Sequence, residues 1–133
     1  TITLAVDTIS YVNYTGAAAC AATLPAAAAG SVVVYVQTKD TTGGTATLSF
    51  DCAGSDVYKT GSIIESRGSS EVSFDSSAAD ETLLTFTPAN AATNLLTTGC
   101  KLYFVCYEKG TWTIAYDLST ETTQVTGAFA FAS

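Results

Sequence analysis

Apolar and polar residues alternate with a period of two along most of the chain, and helical spacing recurs nowhere. Ile2, Leu4 and Val6 alternate with Thr1, Thr3, Ala5 and Asp7, which predicts a first strand with one apolar face. A second extended stretch covers residues 9–14. The alanine-rich segment around Cys20 has helix propensity, but Pro25 cuts it short, so residues 19–24 are read as a strand. Residues 32–36 (Val-Val-Val-Tyr-Val) are continuously apolar, the pattern of a central strand covered on both faces. A turn at Asp40-Thr41-Thr42-Gly43-Gly44 follows. Residues 45–52 then place Ala46, Leu48, Phe50 and Cys52 inward, and this strand is predicted to form a hairpin with the one before it.

The second half carries short extended pieces at 61–65 and 71–74, and a strand at 82–87 ended by Pro88. Residues 101–107 put Leu102, Phe104 and Cys106 on one face and Tyr103, Val105 and Tyr107 on the other. Glu108-Lys109-Gly110 turns the chain, and residues 111–118 return with Trp112, Ile114, Tyr116 and Leu118 on one face, a hairpin. Phe50, Phe104, Trp112 and Ile114 are the predicted core anchors. At the end, Phe129 and Phe131 oppose Ala128, Ala130 and Ala132, with no charge in the last twelve residues. Such a strand is a liability if bare. It must pair with its own sheet or dock on a neighbour.

Roughly eight to eleven short strands separated by turn signals imply an all-β fold, a β-sandwich or barrel of jelly-roll type, mostly antiparallel. With no linker or internal repeat, residues 1–133 are read as one domain. The terminal strands, about 1–7 and 123–133, are the expected intersubunit contacts, through Ile2, Leu4, Val6, Phe129 and Phe131. On that reading, removing residues 127–133 leaves the fold intact and abolishes docking.

Charge changes the picture of the surface. Only 13% of residues are charged while 47% are hydrophobic, so much of the exterior is hydroxyl, small apolar or aromatic. That composition fits either a hydroxyl-rich β domain or a chain covered by neighbours. The net charge of −7, with Lys39, Lys59, Arg67, Lys101 and Lys109 scattered singly, opposes a nucleic-acid role. No apolar run reaches the length of a membrane helix, and no secretion signal is visible. No membrane or nucleic-acid partner is expected.

Chemistry is sparse. The chain has no histidine, and no nucleophile elbow, P-loop or dinucleotide fingerprint, so no enzymatic activity and no cofactor are expected. The adjacent Asp80 and Glu81 point to opposite sides of an extended chain, which disfavours a carboxylate pair. Asp51, Asp56, Asp75 and Asp80 are read as lying in loops of the middle segment, which a calcium ion would favour, but without a recognised spacing. Seven tyrosines leave room for a carbohydrate-binding face. Cys100 and Cys106 lie near 20 Å apart on one strand, at about 3.3 Å per residue, beyond disulfide reach. The four cysteines are therefore buried thiols or bridge separate segments, as Cys52–Cys106 or Cys20–Cys100.

Thr23-Leu24-Pro25 followed by four alanines and Gly30, and then the strand Val32-Val33-Val34-Tyr35-Val36, resembles small β-structured virion proteins of tailed bacteriophages. The similarity continues through residues 44–50 and 56–64 and resumes at 102–114, where a Gly-Thr-Trp turn resembles their closing hairpin. The resemblance implies a structural virion protein, most simply a capsid decoration or cement protein, assembled in the host cytoplasm and residing on the capsid surface. Its partners would be the major capsid protein or other virion proteins, and its state a homo-oligomer, trimer favoured. The alternative is a tail or head fibre module that binds a host-surface glycan or protein. A third reading, an exported pilin-like subunit, would require oxidised cysteines.

Overall fold

A computed structural model describes residues 1–41, 44–67, 72–88, 96–118 and 128–133. The described residues form twelve strands and no helix. In chain order these are β1 (Ile2–Thr3), β2 (Thr8–Val12), β3 (Cys20–Thr23), β4 (Val32–Gln37), β5 (Leu48–Asp51) and β6 (Val57–Tyr58). There follow β7 (Ile63–Arg67), β8 (Val72–Ser76), β9 (Leu83–Phe86), β10 (Lys101–Glu108), β11 (Thr111–Asp117) and β12 (Phe129–Ala132). One sheet has the order β1-β3-β5-β9-β12, a second β2-β4-β10-β11-β6, and β7-β8 is a separate hairpin. The two five-stranded sheets do not close into a barrel, and their apolar faces meet as a sandwich.

From β1 to β5 the chain alternates between the sheets, so strands that become neighbours run the same way. β1, β3 and β5 are parallel in the first sheet, and β2 and β4 in the second. Counting β6 beside β11, four of the nine pairings among the described residues are parallel, which sets the sandwich apart from a wholly antiparallel one. The expected hairpin between residues 32–36 and 45–52 is therefore corrected. These strands, β4 and β5, lie in opposite sheets and face each other across the core. The reason is packing: the Tyr35 and Phe50 rings meet edge to face at 5.0 Å, a contact between layers.

Phe50 stacks further onto Phe104 at 5.1 Å, Phe104 meets Tyr58 at 6.4 Å, and Tyr58 meets Phe131 at 5.3 Å, so side chains of the two sheets interdigitate. Phe50, Phe104 and Trp112 are fully buried and Ile114 is nearly so, placing all four anchors in the core. The hairpin β10–β11 pairs from Lys101↔Asp117 to Val105↔Thr113, with a bulge before Glu108↔Thr111. β7 and β8 pair antiparallel from Ile63↔Ser76 to Arg67↔Val72 as a hairpin, with Ile64 and Ser66 buried beneath it.

One close approach fixes the end of the sandwich. Ala46 N–H donates to Gly16 O at 3.1 Å, and a Cβ on Gly44 would fall 2.2 Å from that same oxygen. With φ at +129°, Gly44 occupies a place that no larger residue fits. Nearby, the fully buried Gln37 is satisfied on both sides: Tyr35 Oη donates to its Oε1, and its Nε2 donates to the carbonyls of Tyr14 and Lys39. Nothing in the alternation pattern announces Gln37, an inward amide at the end of an apolar strand.

Candidate functional site

The terminal strands are not the exposed elements that the sequence reading makes them. Phe129 (1% exposed) and Phe131 (8%) lie in the core, where Phe129 packs on Phe86 at 5.0 Å. Leu4 is buried as well, and Ile2 packs half-buried against the core. Of the five expected contact residues, Val6 alone is exposed. The correction follows from pairing: β12 joins β9 antiparallel, so its phenylalanines face the sandwich interior. The alternation of Ile2, Leu4 and Val6 breaks at Asp7, whose φ is +53°, and the chain crosses to the other sheet there.

The outward face of the second sheet is open at β2 and half-buried over most of β4 and β10. Inward residues of β4 and β10 are buried, so Val32, Val34 and Val36 on β4 and Tyr103 and Val105 on β10 point outward. Their cross-strand neighbours complete two apolar rows. One runs Ile9–Val34–Tyr103–Ala115, and the other Val32–Val105–Thr113. The third row, Tyr11–Val36–Lys101–Asp117, ends in an ion pair of 3.9 Å. Beyond Val105 the bulge takes Tyr107 out of the alternation, and Glu108 holds the position opposite Thr111. Between the Lys101–Asp117 pair and Glu108, these rows carry no formal charge on a chain of net −7. Along β4 the inward side lies in the core, while outward Val32 and Val34 are half-buried and Val36 is buried, so both faces of this apolar run are covered at least in part.

Ile9 is 52% and Tyr11 70% exposed, and both lie on β2, the last strand of this sheet. A second apolar surface lies on the β7–β8 hairpin, where Ile63, Val72 and Phe74 are exposed. Of the seven tyrosines, Tyr14, Tyr35 and Tyr58 are buried and Tyr116 packs against the core, while Tyr11 and Tyr103 share the outward face.

The remaining chemical groups serve the fold. Burial pushes the Cys52 thiol up to about 12, and raises Cys20 and Cys100 as well, which keeps these thiols protonated and weakly nucleophilic. Among the described residues the four cysteines form no disulfide, and Cys100 and Cys106 are buried. The aspartates that a calcium site would use are dispersed. Asp56 accepts from Ala27 N–H at 2.6 Å, Asp75 accepts from Phe131 N–H at 2.6 Å, Asp51 lies on β5, and Asp80 sits in a turn at φ +61°. Glu81 caps that turn by accepting from Ala78 N–H. Among the described residues no cluster of three or more potential metal ligands occurs. Nor is there a helix long and apolar enough to cross a membrane. Comparison with known protein families, curated proteins and solved structures finds no match for this chain.

Proposed function

We propose that this chain is a structural protein of a tailed-bacteriophage particle, a capsid decoration subunit that docks through the outer face of its second sheet. The uncharged rows built on Val34, Tyr103 and Val105 carry the proposal. A broad neutral apolar face on an acidic protein is the surface a neighbouring protein covers at least desolvation cost. The ordered motifs that resemble phage virion proteins supply the particle. The mechanism is mass action. A subunit that binds only the assembled shell, through its major capsid protein, stabilises the shell by its binding free energy summed over many copies. No side chain needs to react. Assembly in the reducing host cytoplasm agrees with cysteines that form no disulfide among the described residues.

Tyr11 and Tyr103 on one face favour a second reading, a fibre module that stacks a host glycan. Cosedimentation with capsids lacking the protein separates the two. Val34→Glu and Tyr103→Glu are expected to weaken capsid binding at least tenfold with an unchanged far-UV spectrum. Undiminished capsid binding by both variants would overturn the docking face, and affinity for a glycan without affinity for capsids would install the second reading.

A further inference from the structure

The two sheets have four outer edges, and three of them are closed to pairing or too short for it. β1 and β6 are two residues each. β12 presents its outer side to the β7–β8 hairpin, where Ser66 Oγ accepts from Phe129 N–H at 3.0 Å and Asp75 Oδ2 accepts from Phe131 N–H at 2.6 Å. The fourth, β2, is five residues long, Thr-Ile-Ser-Tyr-Val, and no strand pairs on its far side among the described residues. It has no charge, proline or bulge, the devices by which edges avoid partners. Val12 O accepts from Thr38 N–H, which turns the backbone groups of Thr8, Ser10 and Val12 toward β4 and those of Ile9 and Tyr11 outward.

We propose that two copies of this chain join through β2, antiparallel about a two-fold axis at Ser10, so that the second sheet runs on as one ten-stranded sheet. The strand's own sequence specifies the occupant. Pairing about Ser10 sets Ile9 opposite Tyr11 of the other copy, twice, and these are the residues whose N–H and C=O groups face the edge. The result is four backbone hydrogen bonds and two β-branched–aromatic pairs, the combination that stabilises antiparallel ladders. Past the strand ends, Asp7 of one copy approaches Asn13 of the other, a carboxylate beside an amide instead of two carboxylates. A net charge of −7 penalises most other self-contacts, whereas this one opposes no like charges. A three-fold ring needs a second, different edge to receive β2, and the other edges are short or blocked, so the isologous pair is the assembly the edges allow. The pair extends the docking face across both copies but does not depend on a capsid.

Sedimentation equilibrium of the full chain under reducing conditions, from micromolar to millimolar concentration, tests the proposal without capsids, so its outcome is separate from that of the docking reading. The wild type is expected to form dimers. Ile9→Pro removes an N–H that β4 does not use and is expected to weaken dimerisation at least tenfold. Two double variants guard against a proline that disturbs the fold: Ile9→Lys with Tyr11→Lys, and Ile9→Glu with Tyr11→Glu. Each alone sets like charges opposite and is expected to be monomeric, while their mixture is expected to form heterodimers. A wild type that stays monomeric across the series, a trimer, or dimers indifferent to all these changes would overturn it.

Discussion

The two longer edge strands of this sandwich, β12 and β2, answer the same physical problem in opposite ways. Both are uncharged and both carry two large apolar side chains at alternate positions. In β12 those side chains are buried and the outward N–H groups are accepted by Ser66 and Asp75, so the edge is closed chemically as well as sterically. In β2 the large side chains face solvent, and among the described residues no strand pairs with its outward backbone. A hydrophobic strand is thus no guide to an interface by itself. What distinguishes the two is which way alternation points the side chains and whether another segment reaches the free N–H groups.

The harshest way to break the comparison is to remove β12. Deleting residues 128–133 strips Phe129 and Phe131 from the core, and large-to-small changes at buried phenylalanine cost about 3–5 kcal/mol each. Against a total stability of about 5–15 kcal/mol, the deletion is expected to abolish the cooperative thermal transition followed by near-UV circular dichroism. The paired control, Ile9→Thr with Tyr11→Thr, changes exposed positions and is expected to shift stability by about 0.5 kcal/mol or less at concentrations where the chain is monomeric. Equal losses in the two proteins would mean that the edges are not different in kind. The deletion thus reports on folding, and docking has to be tested at the second sheet.

A gentler change sharpens the same contrast by converting the closed edge into an open one. Asp75→Ala removes a charged acceptor from Phe131 N–H, at an expected cost of about 1.5–3 kcal/mol, and Ser66→Ala one from Phe129 N–H, at about 1 kcal/mol. Chemical denaturation measures both. With its outer N–H groups bare, the Asp75→Ala/Ser66→Ala double variant is also expected to gain a second, concentration-dependent association that Ile9→Pro does not suppress. Loss of stability with no new association would mean that the hairpin blocks the edge by bulk alone.

How much of this was legible beforehand follows from what alternation encodes. Period-two patterning locates strands and says which side chains share a face, so β10 and β11, with Leu102, Phe104, Trp112 and Ile114 inward, were readable as a hairpin. It does not say which sheet a strand joins. A tight turn and a crossing between layers can carry the same turn residues, so alternation makes β4 and β5 look like neighbours although they lie in opposite sheets. Nor does it tell a core strand at the chain end from a docking strand, because Phe129 and Phe131 look alike in both roles. The edge acceptors Ser66 and Asp75 lie more than fifty residues before the N–H groups they serve, and no local pattern connects them. The proposed docking face has a trace in the sequence, the unbroken apolar run of β4, since a strand with valines on both sides needs a cover on both.

An open edge is a template only while it stays on its sheet, and the smallest expected effect tests that condition. Two residues past the end of β2 stands Tyr14, which is buried and whose hydroxyl donates to Ala46 O, so this residue pins the strand's end to the sandwich. Burial is the first cause that pushes its phenol from an ordinary 10.0 up to about 12, with the nearby Cys20 adding to it. The folded chain therefore holds its proton where the unfolded chain releases it. Stability from this group is whole below pH 10 and is lost as pH rises from 10 towards 12, at no more than about 1.4 kcal/mol per pH unit. Cys52, raised from 9.0 to about 12, gives the alkaline decline an earlier onset near pH 9. Tyr14→Phe is expected to cost about 1 kcal/mol at neutral pH, for the lost hydrogen bond, and to flatten the decline between pH 10 and 12 while leaving its onset in place. Thermal unfolding in reducing buffer across that range measures both. An unchanged alkaline limb would mean that the phenol already reaches solvent, so that the end of β2 frays and the strand is a poorer template than its sequence makes it.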